Sequence, residues 1–286
     1  MHGARRAEAA SVVDVEIAGP MAWTCATLAP DAGRVALSAE GMAEIDAAVA
    51  LMRANPLPAL ALSPRDFPLA ALRRTMAEVK QALDGGVGFA LLDRLPLERL
   101  SRDEAMRVYW LLGAMLARPV AQKWDGTMIY DVRDLGRPPG NGVRPDVTSA
   151  EQNFHTDNSY NLCPPEYVAL LCLHPAMEGG VHFVVSLAAA HNEIRRRRPE
   201  LLSRLYRPFC FDRQREHAPG DAMVIRHPLF ERDGGRLTAR LSRFQVVNNR
   251  VMAHRRTTFH DWPEPERKRH LVRLWLRDAG RAFYNG

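Results

Sequence analysis

The sequence predicts an α+β chain, mainly β, with a β-sandwich or jelly roll flanked by helices. Three observations predict it. Short strand-like runs crowd the second half of the chain, only a few helical stretches accompany them, and the regular strand–helix–strand alternation of a parallel sheet is missing.

The elements follow in order. Residues 1–62 read as an N-terminal extension packed on the core, and 63–286 as one domain. "SPRDFPLAALRRTMAEVKQALDGG" (63–86) predicts a helix, with Ser63 or Asp66 near its start, apolar positions three to four apart and a Gly-Gly stop. "VGFALLDRL" (87–95) predicts a buried strand, and "SRDEAMRVYWLLGAMLA" (101–117) a helix capped by Ser101. Strands follow in "KWDGTMIYDV" (123–132), "YVALLCLH" (167–174), "VHFVVS" (181–186), "RLTARLSRF" (236–244), "FQVVNNRVMAH" (244–254) and "HLVRLWLR" (270–277). One more helix is expected over 186–206. The Gly- and Pro-rich stretch 133–152 has no period, and a loop of that length in a compact domain is commonly a functional lid.

Composition narrows the function classes. A chain of 286 residues that is 47% hydrophobic and 25% charged has the make-up of a soluble globular protein. No apolar run reaches the roughly 18 residues that a membrane span needs, and no apolar segment follows the N-terminal arginines as in a secretory signal. The four cysteines lack CxxC spacing, which argues against a zinc–cysteine site and fits free thiols in the cytoplasm. The net charge of +6 raises nucleic-acid binding, but the run "RRRR" (195–198) falls in a predicted helix without interleaved aromatics and reads as a solvated face. The excess of arginine instead favours an anionic small molecule. Symmetric self-association is common for enzymes of this size, yet no sequence feature demands it.

The chemistry centres on "EQNFHTDNSY" (151–160). If residues 153–157 are extended, His155 and Asp157 point to the same face about 6.7 Å apart at Cα and can converge on one metal ion. An ordinary polar turn has the same composition, so the reading needs a third ligand. "VVNNRVMAHRRTTFHDWPEPERKRHLVRLWLR" (246–277) offers one, His254, at the end of a strand, together with Arg269 and Arg273 four residues apart on the next. Two histidines and a carboxylate form a facial triad with three open metal positions, and paired arginines suit a dicarboxylate. His174, His191, His217, His227, His260 and His270 are read as packing or surface residues.

Taken together, "FHTDNSYNLCPPEYVALLCLHPAMEGG" (154–180), "NNRVMAHRRTTF" (248–259) and "RHLVRLWLR" (269–277) make the chain resemble the taurine dioxygenase (TauD/TfdA) family of Fe(II)/2-oxoglutarate oxygenases. The resemblance implies a double-stranded β-helix with His155, Asp157 and His254 as iron ligands. It puts Arg269 at the far carboxylate of 2-oxoglutarate, and Arg273 where some members bind the cosubstrate or an anionic substrate. His182 stands where relatives use Ser or Thr against the cosubstrate; it either takes that role or is a structural histidine. Asn158 and Tyr160 either line the substrate pocket or are hydrogen-bonding turn residues. The implied cofactors are Fe(II), 2-oxoglutarate and O2, and the implied reaction is oxidation, by default hydroxylation, of an unactivated C–H bond in a small anionic or amino-acid-like substrate. Relatives carry a helical excursion between the strands bearing the two histidines that this sequence lacks. The short spacing supports one alternative, a non-catalytic jelly-roll binding protein that keeps the ligands. A zinc hydrolase using the same triad is another, which lacks an evident general base beside the metal and leaves the arginine pair unexplained.

Overall fold

The computed structural model describes residues 12, 14–138, 143–213, 216–233, 236–241 and 250–284. The chain opens with β1 (Arg34–Val35) and α1 (Ala39–Ala54), followed by α2 (Ala70–Asp84), β2 (Leu91–Leu92) and α3 (Arg102–Leu116). Next come β3 (Arg118–Val120), β4 (Tyr130–Val132), β5 (Gln152–His155), β6 (Tyr167–His174), β7 (Glu178–Gly179) and β8 (His182–Ser186). Two helices, α4 (Leu187–Arg197) and α5 (Pro199–Leu205), precede β9 (Phe209–Asp212), β10 (Val224–His227), β11 (Phe230–Asp233) and β12 (Arg236–Ala239). The chain closes with β13 (Met252–Arg256), β14 (Phe259–His260) and β15 (His270–Arg277).

Helix and strand take about equal shares of the described residues, so the chain is α+β with more helix than expected. The difference is mainly α1, within the expected N-terminal extension. Ser38 caps it by accepting from the Gly41 N–H at 3.0 Å, and Ile45, Ala48, Val49 and Met52 bury one face. These side chains share one core with Leu72 and Met76 of α2, Val108 and Leu112 of α3, and Val272, Leu274 and Leu276 of β15. At α3, Ser101 and Glu104 form a reciprocal capping box, worth about 1 kcal/mol for the cap. The strand expected over 87–95 shrinks to β2, paired in parallel with β1. The helix expected over 186–206 is split, because Pro199 lacks the N–H to continue α4 and instead opens α5.

Two sheets position the site. In the larger, β15 is flanked by β3 and β4 on one side and by β6 on the other, all antiparallel. Every residue of β15 is buried, because successive side chains serve opposite faces. Val272, Leu274 and Leu276 pack on the helical layer, while Arg273, Trp275 and Arg277 turn to the other side. The smaller sheet runs β5-β13-β8, with β13 antiparallel to both neighbours. Hairpins β9-β10 and β11-β12 and the pair β14-β7 complete the strands. The junction where relatives carry an excursion falls at 242–249, outside the described residues, as does 139–142 of the expected lid. Within that expected lid, Pro145–Val147 form a single 3-10 turn.

Candidate active site

The inner face of the smaller sheet collects the polar side chains that the sequence singled out. His254 on β13 lies directly opposite His155 on β5 and Val184 on β8. Two residues on, Arg256 lies opposite His182. A period of two puts His155, His182, His254 and Arg256 on one side of the sheet, and turns Phe154, Phe183 and Arg255 outward, where Arg255 stacks over both rings. The His254 ring centroid is 5.5 Å from that of His155 and 5.5 Å from that of His182.

Asp157 follows β5 and returns its carboxylate to the same place, with Oδ1 3.5 Å from His155 Nε2. Among the described residues, one ligand atom each from His155, Asp157 and His254 lie within 4.8 Å of one another, and all three residues are buried. His155 Nδ1 donates to the Asn153 carbonyl at 2.7 Å. A carbonyl only accepts, so the neutral ring keeps its lone pair on Nε2, toward Asp157. Burial lowers His155 and His254 well below the usual histidine range, with the Arg273 charge acting the same way on His155. Both are therefore neutral imidazoles, the form that binds metal.

Asp157 is held from behind. Trp275 Nε1 donates to its Oδ2 at 2.7 Å, and Arg273 Nη1 stands 3.3 Å from the same oxygen. Burial raises the Asp157 carboxyl, while the Arg273 charge and the Trp275 hydrogen bond pull it down. Gln122 fixes Arg273 at both ends, accepting from Nε at 2.8 Å and donating to the main-chain carbonyl at 2.7 Å.

The two arginines expected to share a ligand have different neighbours. Arg269 lies one residue before β15, and a register shift falls between His270 and Leu271, so regular alternation does not carry from 269 to 273. Arg269 Nη2 donates to His182 Nε2 at 3.0 Å, and its Nη1 is buried without a partner. Its guanidinium lies 4.9 Å over Phe259, which also carries the Arg256 guanidinium at 4.8 Å. Arg256 is 1% exposed, and its Nε and Nη1 have no partner among the described residues. Burial and the Arg269 charge lower it to about 10. Two guanidinium groups over one ring, both with idle donors, give this corner the chemistry to pair with an anion.

Asn158 adopts φ +53°, turning the chain after Asp157, and its Oδ1 accepts from the Tyr284 hydroxyl at 3.2 Å. The Tyr160 hydroxyl accepts from Arg144 at 3.2 Å. Asn158 and Tyr160 thus both make hydrogen bonds within the protein, while Asn158 Nδ2 is left unpartnered. Other histidines behave as packing or surface residues: His191 packs edge-on against Tyr206 and Phe230, His270 meets Asp131, and His260 is exposed.

Sequence reasoning missed Trp275, Gln122, Arg256 and Asp146. Two of them were within its reach. Trp275 is two residues from Arg273 on a strand, and Arg256 two residues from His254, so alternation places each beside a residue already chosen. Gln122 and Asp146 belong to segments whose approach depends on the tertiary fold.

The donor set fits a divalent metal such as iron: two neutral imidazoles and a carboxylate, with His254 Nε2 buried and unbonded among the described residues. A bound metal ion would satisfy that atom.

Comparison with known proteins agrees. The family model described as "Taurine catabolism dioxygenase TauD, TfdA family" matches residues 53–245, a span that stops short of His254. FR-33289 synthase of Streptomyces rubellomurinus (strain ATCC 31215) is 28% identical over 295 residues, covering 85% of each chain. Asparagine oxygenase in complex with Fe(II), 2S,3S-3-hydroxyasparagine and succinate matches 86% of this chain and 94% of its own, with a TM-score of 0.61 and 19% identity. The non-heme iron oxygenase OrfP, in complex with Fe, succinate and (3S)-hydroxy-L-Arg, matches the same shares with a TM-score of 0.63 and 13% identity. At those identities the two structures show a shared fold. The family match covers more than half of the chain, and the protein therefore belongs to the TauD/TfdA family, as a dioxygenase that uses Fe(II), 2-oxoglutarate and O2.

Proposed function

We propose that His155, Asp157 and His254 hold the Fe(II), and that Arg269, with Arg256 and His182 beside it, receives the far carboxylate of 2-oxoglutarate. The observation that carries this reading is the convergence of three buried ligand atoms around an unbonded His254 Nε2. The β3-β15-β4 sheet with β6 and the β5-β13-β8 sheet are read as the two faces of a double-stranded β-helix, with residues 1–62 an extension and 63–286 one oxygenase domain.

Iron with its cosubstrate supplies the oxidising power: substrate, O2 and 2-oxoglutarate give hydroxylated substrate, succinate and CO2. This chain's residues supply the rest. Asn153 holds the His155 tautomer, and Trp275 and Arg273 fix the Asp157 carboxylate. The burial of His155, Asp157, His254 and Arg269 limits water around them. The substrate is read as a small anionic or amino-acid-like molecule. The amino-acid products bound to two proteins of this fold support that reading, as does the concentration of buried arginine. The free cysteines fit a cytoplasmic location, and among the described residues no helix is long and apolar enough to cross a membrane.

The test is anaerobic addition of Fe(II) and 2-oxoglutarate, followed by O2. A visible charge-transfer band and then succinate are expected. A band without succinate, with a broad substrate set present, would favour a binding protein; no band at all would sink the ligand assignment.

A further inference from the structure

Asp146 brings a partly satisfied carboxylate beside Arg273, next to the proposed iron ligands. It lies in the Pro145–Val147 turn, is 6% exposed, and its Oδ1 has no hydrogen-bond partner among the described residues. Its Oδ2 stands 3.6 Å from Arg273 Nη2, beyond a normal hydrogen bond. The same guanidinium reaches Asp157 Oδ2 at 3.3 Å through Nη1. Arg273 therefore spans two carboxylates, one facing the proposed iron and one on the loop above it. Arg144 makes its close contacts with Glu216 at 2.5 Å and the Tyr160 hydroxyl, and its charge also faces Asp146 without a direct contact to either Asp146 oxygen. Tyr130 lies 4.8 Å beneath Arg273, and its hydroxyl is pushed up to about 12, first by burial, then by the Asp146 charge, with a weak hydrogen bond to Asp146 acting the same way.

Burying a carboxylate with one oxygen idle is costly unless a partner arrives. The loose contact to Arg273 is one a ligand can enter without breaking a good hydrogen bond. The charges present decide which ligand. A purely anionic substrate would neutralise Arg273 while leaving Asp146 and Asp157 to repel it. A substrate with both an anion and an ammonium exchanges one-for-one with the existing pair and leaves the local charge unchanged.

We infer that Asp146 and Arg273 act together as a zwitterion filter, Asp146 Oδ1 taking the substrate's ammonium and Arg273 its carboxylate or other anionic group. The inference rests on the oxygenase reading and narrows its substrate to small amino acids in the broad sense. Asp146 is then the determinant that rejects plain carboxylates and sulfonates, by leaving its own charge unpaired against them.

The experiment is calorimetric titration of the full chain, loaded anaerobically with Fe(II) and 2-oxoglutarate. The probes are the proteinogenic L-amino acids and taurine, each beside its counterpart with the amino group replaced by hydrogen. At least one ammonium-bearing probe is expected to bind about 10- to 100-fold more tightly than its counterpart. In Asp146→Asn that preference collapses, and the des-amino counterpart binds more tightly than it does to the wild type. A gain of that kind is not produced by a damaged fold, and thermal melting of the variant checks folding separately. Equal binding of both members of every pair, absence of binding by every ammonium-bearing probe, or an unchanged preference in Asp146→Asn would overturn the inference. The charge-transfer band of the loaded wild type separates the two failures: with the band present the filter alone has failed, and without it the oxygenase reading has.

Discussion

His254 faces His155 as its direct partner across the β13–β5 ladder, although the two are far apart in sequence. A sheet holds such a pair more rigidly than loops would. Neither imidazole needs a proton removed, since burial keeps both neutral. His254→Gln is expected to lower Fe(II) affinity by at least about 100-fold and to abolish the charge-transfer band. Iron content after desalting measures this, and full retention of iron would exclude His254 as a ligand.

Asp157 depends on the 2.7 Å hydrogen bond from Trp275 to hold its orientation. Trp275→Phe keeps most of the apolar volume and deletes that donor. Metal affinity or activity should fall about 10- to 100-fold, with unfolding free energy changing by no more than about 3 kcal/mol. The ratio of the two effects is informative: a loss of stability without a change in metal affinity would make Trp275 only a packing residue.

The Gly179-Gly180 pair shapes the anion corner. Gly180 adopts φ +65°, and a Cβ there would lie 3.0 Å from Arg269 Nε. Gly180→Ala both strains the backbone, by about 1 kcal/mol, and pushes on the guanidinium. The expected result is a KM for 2-oxoglutarate raised about 10-fold, the cost of one weakened charged hydrogen bond, with iron binding retained. An unchanged KM would separate Arg269 from the cosubstrate.

Part of the candidate site was legible in the sequence, for a physical reason. His155 and His254 sit on strands, where alternation converts spacing into facing. Asp157 and Arg269 lie just outside their strands, and the role expected for Arg269 came from the family resemblance. The eight-residue runs Tyr167–His174 and His270–Arg277 appear with their expected bounds, because long apolar stretches between turn signals leave little choice. What stayed hidden depends on tertiary contact. The helix α1 is rich in alanine and has a weak apolar stripe, so only its packing on α2 and α3 reveals it. The separate surroundings of Arg269 and Arg273 follow from a register shift that no periodicity announces.

Buried histidines make the metal-free protein sensitive to acid. His182 is lowered to about 4, first by burial and then by the Arg269 and Arg256 charges. Histidine in the unfolded chain titrates near about 6.5. Between those values the unfolded state binds the extra proton, so stability rises with pH across the window. It is fully present above the unfolded value and is lost as pH falls toward the folded one. His182 alone accounts for at most about 3 kcal/mol, and His155 and His254 act in the same direction. Urea midpoints of chelated protein should fall over that range, and His182→Gln should flatten part of the slope. An identical slope in the variant would contradict the assignment.

Arg256 ties the 145–150 segment to the strand that carries His254. One nitrogen, Nη2, donates to the main-chain carbonyls of Pro145 at 3.4 Å, Thr148 at 3.1 Å and Ala150, and the Phe259 N–H reaches the Ser149 carbonyl at 3.2 Å. These bonds hold the turn that bears Asp146 over the site. Arg256→Lys keeps the charge but loses the planar fork and its stacking on Phe259. The shorter lysine stem does not carry its ammonium to the position of Nη2, so the carbonyls lose a donor that the planar group holds in place. The expected outcome is a loss of about 1–3 kcal/mol in stability. Faster amide exchange in 147–150 should accompany it, as local opening becomes easier. Arg256→Met removes the charge as well; if it matches Arg256→Lys in exchange but weakens 2-oxoglutarate binding further, tethering and anion binding are separate duties of one side chain. Unchanged exchange in both variants would show that the segment is held by other contacts.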